Sequence, residues 1–369
     1  MIKPYIPEIL PITDLDHKRL IQPVGRANAE LARYNGLLQA VVNPEVLLSP
    51  LTTQEAVLSS RIEGTQATLD EVLRRDSGMP AFDEKTEKDI QEIVNYRQVL
   101  IEAEKKLRNR PITLFLIRQM HKELMASARG WDKEPGRFRR NQNFIGKSGT
   151  PIEKATFVPP EPHILQDHLE SLEKYLQTDD LDTLIQCAVM HAQFELIHPF
   201  MDGNGRIGRL LVPLYLYQKK KLSRPMFYLS EYLEENRSDY YSRLENISKS
   251  KDWNAWVEFF LDAVSEQSIR NSTKVIAILD LYKELIKNLH MISRSKNAMP
   301  ILDALFHKPI FVSADLVKRS NTAKQTLMPI LKKLQKAGIL RVIREARGRA
   351  PAVLSFSQLL NITEGKKVL

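Results

Sequence analysis

The chain has 369 residues, 43% of them apolar and 27% charged, with a formal net charge of +9. That is the composition of a soluble globular protein long enough for two or three domains. No apolar run approaches the ~18 to 20 residues of a membrane span. The opening MIKPYIPEIL carries an acid and two prolines where a signal peptide has an unbroken apolar stretch. The single cysteine, Cys187, excludes an internal disulfide framework and a cysteine-based zinc site, so a reducing, cytoplasmic setting is expected.

The first sixteen residues, with three prolines, predict an extended arm. Helical periodicity then dominates. TTQEAVLSSRIEG predicts a helix opening at the caps Thr52 and Thr53 and stopping at Gly64. TLDE, residues 68–71, is a capping-box pattern for a further short helix. A long amphipathic helix (KTEKDIQEIVNYRQVLIEAEKKL) and a second one (ITLFLIRQMHKELM) flank Pro111. From Gly136 to Pro160 the period is lost, and the apolar runs NFI and ATFV around a Gly/Ser/Pro-rich turn predict a β-hairpin over about 141–158. Helices resume at PHILQDHLESLEKYLQ and LDTLIQCAVMHAQFELI, with Cys187 and His191 expected to be buried. Trp253 and Trp256 are expected in the core.

Charge is uneven. From Ile292 to Leu369 there are fifteen Lys or Arg against four Asp or Glu, a net of +11, which leaves the other 291 residues at −2. In this basic tail MPILDALF, VSADLVKRS and NTAKQTLMPILKKLQKAGIL predict helices, and RVIRE and APAVLSF predict strands. Helices followed by a basic hairpin are the order of a winged helix-turn-helix. Asn321, Thr322, Lys324 and Gln325 would open its recognition helix, and Arg344, Arg347 and Arg349 would lie in its wing, suited to phosphates of duplex DNA.

The densest chemistry is HPFMDGNGRIGR, residues 198–209. Glycines around Asn204 let successive N–H groups converge, and a following helix adds its free N-terminal N–H groups, which together cradle a phosphate. Arg206 and Arg209, three apart, project from one helical face toward further phosphate oxygens. Asp202 is placed to hold Mg²⁺ with the phosphates. His198 has the only side chain in the stretch that titrates near neutrality and suits a general base. The chemistry implied is transfer from a nucleoside triphosphate to a hydroxyl, with the cradle stabilising the charge on phosphate.

HPFMDGNGRIGR matches, at every defining position, the His-Pro-Phe-x-Asp/Glu-Gly-Asn-Gly-Arg-x-x-Arg motif of Fic-domain proteins, and the chain resembles that family over about residues 50–265. The resemblance implies an all-α Fic core, with the hairpin as a flap that docks the target segment. It also implies a protein adenylyltransferase moving AMP from ATP onto a Ser, Thr or Tyr hydroxyl of a target or of itself. In that reading His198 is the catalytic base and Asp202 the Mg²⁺ ligand. Gly203, Asn204 and Gly205 form the anion hole, Arg206 and Arg209 meet the outer phosphates, and Ile207 and Gly208 complete the nucleotide-binding turn. Tyr241, in DYYSRL, lies near the adenine, and Ile145 and Gly146 of the flap are candidates for nucleotide contact. A branch of the family that phosphorylates its targets has a Lys in the glycine region; Gly205 places this chain outside it.

SSRIEG, residues 59–64, fits the family's inhibitory pattern Ser/Thr-x-x-x-Glu-Asn/Gly. Ser59 and Glu63 share a helical face and Gly64 ends the helix, so the resemblance implies a brake in which Glu63 takes Arg209 from the γ-phosphate of ATP. The expected domains are an N-terminal region (1–110) with the inhibitory helix (about 52–64), a Fic core (111–265), a helical connector (266–295) and a winged helix (296–369). Two further readings stand beside the enzyme: a DNA-binding regulator whose Fic core senses nucleotide, and removal of AMP with Glu63 positioning a water. Duplex DNA and a second copy of the chain are further partners this organisation allows, and a membrane is not.

Overall fold

Prolines keep the first segment free of helix, as expected, and helix begins only at His17. The computed structural model describes residues 3–80, 83–126, 132–146, 149, 151–293, 298–348 and 350–368. In chain order the first helices are α1 (His17–Ala40), α2 (Pro44–Leu47), α3 (Ser49–Ile62), α4 (Leu69–Asp76), α5 (Glu84–Leu107) and α6 (Leu114–Leu124). α3 corrects one expectation, since it opens at Ser49 and buries Thr52 and Thr53 within it. Their hydroxyls donate to the carbonyls of Leu48 (3.4 Å) and Ser49 (3.1 Å), four residues back, which is helix back-bonding and not capping. It stops where expected, with Gly64 in the left-handed region at φ +95°. The capping box of α4 forms as its sequence predicts: Glu71 N–H donates to Thr68 Oγ1 (3.3 Å), and Thr68 N–H to Glu71 Oε2 (2.8 Å).

The flap departs from a regular hairpin. Its described part holds a single bridge, Ile145 with Phe157, and a 3₁₀ turn at Ile152–Lys154, while residues 147, 148 and 150 lie outside the described residues. Pro151, Pro159 and Pro160 offer no N–H to extend a ladder. Then come α7 (Leu165–Gln177), α8 (Thr183–Ile197), α9 (Asn204–Gln218), α10 (Ser230–Glu235), α11 (Arg237–Ser250) and the 41-residue α12 (Trp253–Ser293). α8 opens on Asp182, whose carboxylate accepts from Leu184 and Ile185 N–H. It is apolar almost all round and buried almost throughout, as is α9, and the two pack together. The stretch 198–209 is thereby set at the junction of two core helices.

The remaining elements are α13 (Ala298–His307), β1 (Ile310–Val312), α14 (Ser313–Ser320), α15 (Lys324–Lys336), β2 (Arg341–Arg344), β3 (Val353–Ser355) and α16 (Ser357–Glu364). Their strands form one antiparallel sheet in the order β1-β3-β2, with Ile310 opposite Ser355 and Arg341 opposite Ser355 on the other side. β2 and β3 fall where expected, whereas β1 and α16 are additional, and β1, with three residues, is too short for a periodic signal. Thr322, expected at a DNA-facing helix start, is buried, and Arg349 lies outside the described residues.

The chain divides into two units, residues 1–35, 58–65 and 91–269, and residues 36–57, 66–90 and 270–369. The expected N-terminal region 1–110 is therefore shared between them, and the boundary at 269/270 falls inside α12. Packing explains this: in the second unit α2 packs on α13 and α4 on β1. Lys308 Nζ donates to the Asp76 carbonyl and pairs with Asp315 at 2.8 Å. Among the described residues no helix is long and apolar enough to cross a membrane.

Candidate active site

Every residue of the site lies in the first unit. His198 caps the C-terminus of α8 in the left-handed region (φ +49°), uncommon for a residue with a side chain. Its Nδ1 is 3.2 Å from the Glu195 carbonyl, which can only accept, so Nδ1 carries the proton and Nε2 is the basic nitrogen. Burial pushes the ring's pKa down to about 4, against the bond to Glu195, so His198 is neutral near pH 7.

The loop after it is held side chain by side chain. Asn204 Oδ1 accepts from Phe200 N–H and Asn204 Nδ2 donates to Phe200 C=O, both at 2.8 Å. The Asn204 carboxamide is thus spent on loop shape. Phe200 stacks on His121 at 3.7 Å. Gly136 N–H donates to His121 Nδ1 (2.8 Å), so His121 Nε2–H donates to the Asp202 carbonyl (2.9 Å). Gly203 adopts φ +80°, and a Cβ there would press on Met125 Sδ at 3.0 Å and on the His121 ring.

Helix starts at Asn204, earlier than the glycines suggest, so Gly205, Arg206, Ile207 and Gly208 are its first turn. The N–H groups of Asn204, Gly205 and Arg206 precede the first helical bond, from Ile207 N–H to Gly203 C=O (3.1 Å), and so have no partner within the helix. A carboxylate lies beside this helix start. A Cβ on Gly205 would collide with Glu63 Oε1. The same oxygen accepts from Arg209 Nη2 at 2.7 Å, while Arg209 Nε and Nη2 donate to Ser59 Oγ and Ser59 C=O, both at 2.9 Å. Burial opposes both charges, yet each holds the other: Arg209 keeps the Glu63 carboxyl below its ordinary range, helped by Arg206, and Glu63 holds Arg209 charged.

The two arginines share a face but not a partner. Arg206 Nη1 donates to Glu92 of α5 at 2.9 Å, with both side chains 4% exposed, and its Nη2 is 3.6 Å from Asp202 Oδ1. Asp202 itself is exposed and accepts from Gly203 N–H (2.6 Å). Tyr241 lies within electrostatic reach of Arg209 and Glu63, 42% exposed, with the Arg237 guanidinium 5.9 Å from its ring centre. Its neighbour Tyr240 is buried and donates its hydroxyl to His191 Nε2 (2.9 Å), and His191 Nδ1 donates to Gly208 C=O (3.1 Å). Ile145 is 41% exposed beside the bridge to Phe157.

Residues 21–105 match the model of the Fic/DOC family N-terminal region, and residues 111–216 that of the Fic/DOC family, together more than half of the chain. The chain belongs to the Fic/DOC family. This Fic chain is 25% identical over 182 residues to a probable protein adenylyltransferase of Aquifex aeolicus, covering 48% of the chain and 52% of that relative. It is 29% identical over 131 residues to a protein adenylyltransferase of Caenorhabditis elegans, covering 35% and 22%. The chain thus spans about half the length of the first relative and under a quarter of the second. A solved Fic family protein from Desulfovibrio desulfuricans shares the fold over 96% of the chain and 98% of its own, with a TM-score of 0.58 at 21% identity.

Four residues of the Fic site escape a reading of the sequence. Arg139, Glu92 and His121 carry no local signal, since the motif residues they bond to, His198, Arg206 and Asp202, lie 59 or more residues away. Glu195 did carry one, as the single charged residue of α8. Its Oε1 is buried against Gly208 with no hydrogen-bond partner among the described residues. Burial, then Glu63, outweighs Arg209 and raises its pKa to about 8.

These shifts predict a proton count. His198, His121 (about 4) and His191 (about 3) have folded pKa values depressed by burial below 6.5. Their contribution to stability is complete above pH ~6.5 and lost as pH falls toward ~4, because the unfolded chain binds more protons in that window. Glu195, protonated when folded, releases a proton on unfolding at pH 5.5. Calorimetric unfolding at that pH, in buffers of different ionisation heat, should show net uptake of about two protons from these four groups. Net release would contradict the neutral imidazoles.

Proposed function

We propose that the chain transfers AMP from ATP to a Ser, Thr or Tyr hydroxyl of a target protein or of itself, and that Glu63 holds it inactive through Arg209. One observation carries the reading: the Glu63 carboxylate lies against Gly205 at the N-terminus of α9 and pairs with the Arg209 fork, the arginine this reading gives to the phosphates. His198 Nε2 accepts the proton of the target hydroxyl. The hydroxyl oxygen attacks the α-phosphorus, the bond to the β-phosphate bridge breaks, and pyrophosphate leaves. The N–H groups of residues 204–206 stabilise charge on the phosphates, and the exposed Tyr241 ring offers a face to the adenine.

Asp202 fits a divalent cation by its chemistry, a hard carboxylate with its side chain 46% exposed. No group of three or more His, Cys, Asp or Glu among the described residues forms a ready cage, so phosphates and water would supply the other ligands. Bound Mg²⁺ would offset the phosphate charge. Incubation with ATP labelled in the α-phosphate tests the reading, with AMP expected on the chain itself or on added protein and no transfer of the γ-phosphate.

A second role rests on the C-terminal elements. The order helix, strand, two helices and hairpin over residues 298–355 supports a winged helix-turn-helix with α15 as recognition helix. Lys324, Gln325, Arg341 and Arg347 are exposed there, in a region of net +11. The intact protein should shift duplex DNA at low salt, with a log–log salt slope near −5 for about six phosphate contacts. Absence of a shift at low salt would leave a module for protein contacts.

A further inference from the structure

Arg139, just before the flap, is 2% exposed, and among the described residues no carboxylate pairs with it. Its guanidinium is spread over backbone carbonyls instead. Nε donates to His198 C=O at 2.9 Å, Nη2 to Pro160 C=O at 2.5 Å and Ile197 C=O at 3.4 Å, and Nη1 to Asn141 C=O at 3.4 Å. Its own backbone N–H donates to Pro199 C=O at 2.9 Å. Two of the five acceptors, Asn141 and Pro160, bracket the flap; the other three are the last residue of α8, the residue assigned as base and the proline after it.

We propose that Arg139 is a positioning residue, which holds His198 in its left-handed conformation and ties both ends of the flap to the loop that carries the base. The proposal rests on the reading of His198 as base. Three physical points support it. A side-chain-bearing residue at φ +49° is strained and persists only where its surroundings fix it, and Arg139 Nε fixes the carbonyl of that residue. A planar fork with five donors can serve several carbonyls at set angles, which a lysine cannot. A cation buried without a counter-ion is costly unless its hydrogen bonds are made, so all of its contacts hold together or none does. The link also has a second strand: Asn143 Nδ2 donates to Phe200 C=O at 3.0 Å, and Gln142 Nε2 to Pro159 C=O at 2.9 Å. A target segment docked on the flap would then be in register with His198 Nε2, because one side chain sets both positions.

The test uses the intact chain with Arg139→Lys and, separately, Arg139→Gln, each in the Glu63→Gly background for activity. The expected result is a fall in kcat for AMP transfer of roughly tenfold to a hundredfold, the scale of a misplaced reacting group. The KM for ATP should stay within about threefold, since the cradle of α9 is untouched. Without regard to activity, amide hydrogen exchange over residues 197–203 should rise at least about tenfold, with the middle of α8 and α9 unchanged. Unchanged exchange, an unchanged kcat, or a KM for ATP that rises as kcat falls would overturn the proposal, as would unfolding of both variants. If the Glu63→Gly parent transfers no AMP but exchange still rises in the Arg139 variants, the failure belongs to the proposed function and the clamp stands.

Discussion

Replacing His198 by alanine is expected to lower AMP transfer by roughly 10²–10⁴-fold, the usual contribution of a positioned general base, while ATP binding stays within about threefold. The imidazole sits at the edge of the cradle with Nδ1 committed to the Glu195 carbonyl, so Nε2 is the nitrogen available to a hydroxyl and not to the phosphates. Burial holds the ring's pKa near 4, so it is unprotonated and competent throughout the neutral range. Alanine at φ +49° adds backbone strain, and His198→Asn is the better-matched variant, because asparagine tolerates the left-handed region. Both should lose transfer alike and both should bind ATP, measured by calorimetry on the intact chain. Transfer by His198→Asn near the parent rate would remove His198 from the mechanism, and loss of ATP binding would make it a residue of the cradle.

What could be read in the sequence follows from how local each signal is. The glycine-rich turn into α9 was legible because its parts are consecutive: glycines at 203, 205 and 208 and a helix start lie within one short stretch. The Thr68 capping box and the stop at Gly64 were legible for the same reason. Thr52 and Thr53 misled, because the same side chain caps a helix or bonds back along it, and which it does depends on Ser49 and Pro50 ahead of them. The fate of Arg206 was hidden too, unlike the pairing of Arg209 with Glu63, which the likeness of SSRIEG to the family's inhibitory pattern implied. Spacing puts Arg206 and Arg209 on one face, but only the fold brings Glu92 from α5 to Arg206. The division into units was the least visible, since segments 36–57 and 66–90 join a unit completed by residues 270–369.

Those two ion pairs differ in a way that bears on control. Glu92 is 4% exposed in the middle of a long helix, so its pair with Arg206 is a fixed part of the fold. Glu63 is 34% exposed and lies in the turn that follows α3, so its pair with Arg209 can open. Asp202, near Arg206 at 3.6 Å, thus faces a permanently neutralised arginine, whereas the cradle itself faces one that can be released.

Glu63→Gly is accordingly expected to raise AMP transfer at least about tenfold, since even ~2 kcal/mol of preference for the braked state lowers the active population about thirtyfold. Removing the carboxylate does two things at once: it empties the space against Gly205 and frees one N–H of Arg209 Nη2. The fold should survive. Glu63 is a third exposed, so water already screens the pair in part, and with Arg209 itself buried its loss costs on the order of a few kcal/mol. Arg209 keeps its two bonds to Ser59. Glu195, held protonated by burial and in part by the charge of Glu63, is then better able to ionise and to balance the arginine. Arg209→Ala in the same chain supplies the control, because a released brake gains nothing once the phosphate clasp is gone, and transfer should return to background. The measurement is AMP incorporation from labelled ATP by the parent, the single variant and the double variant, each with its melting temperature. Equal incorporation by parent and Glu63→Gly, both folded, would reduce the Glu63–Arg209 pair to a structural contact.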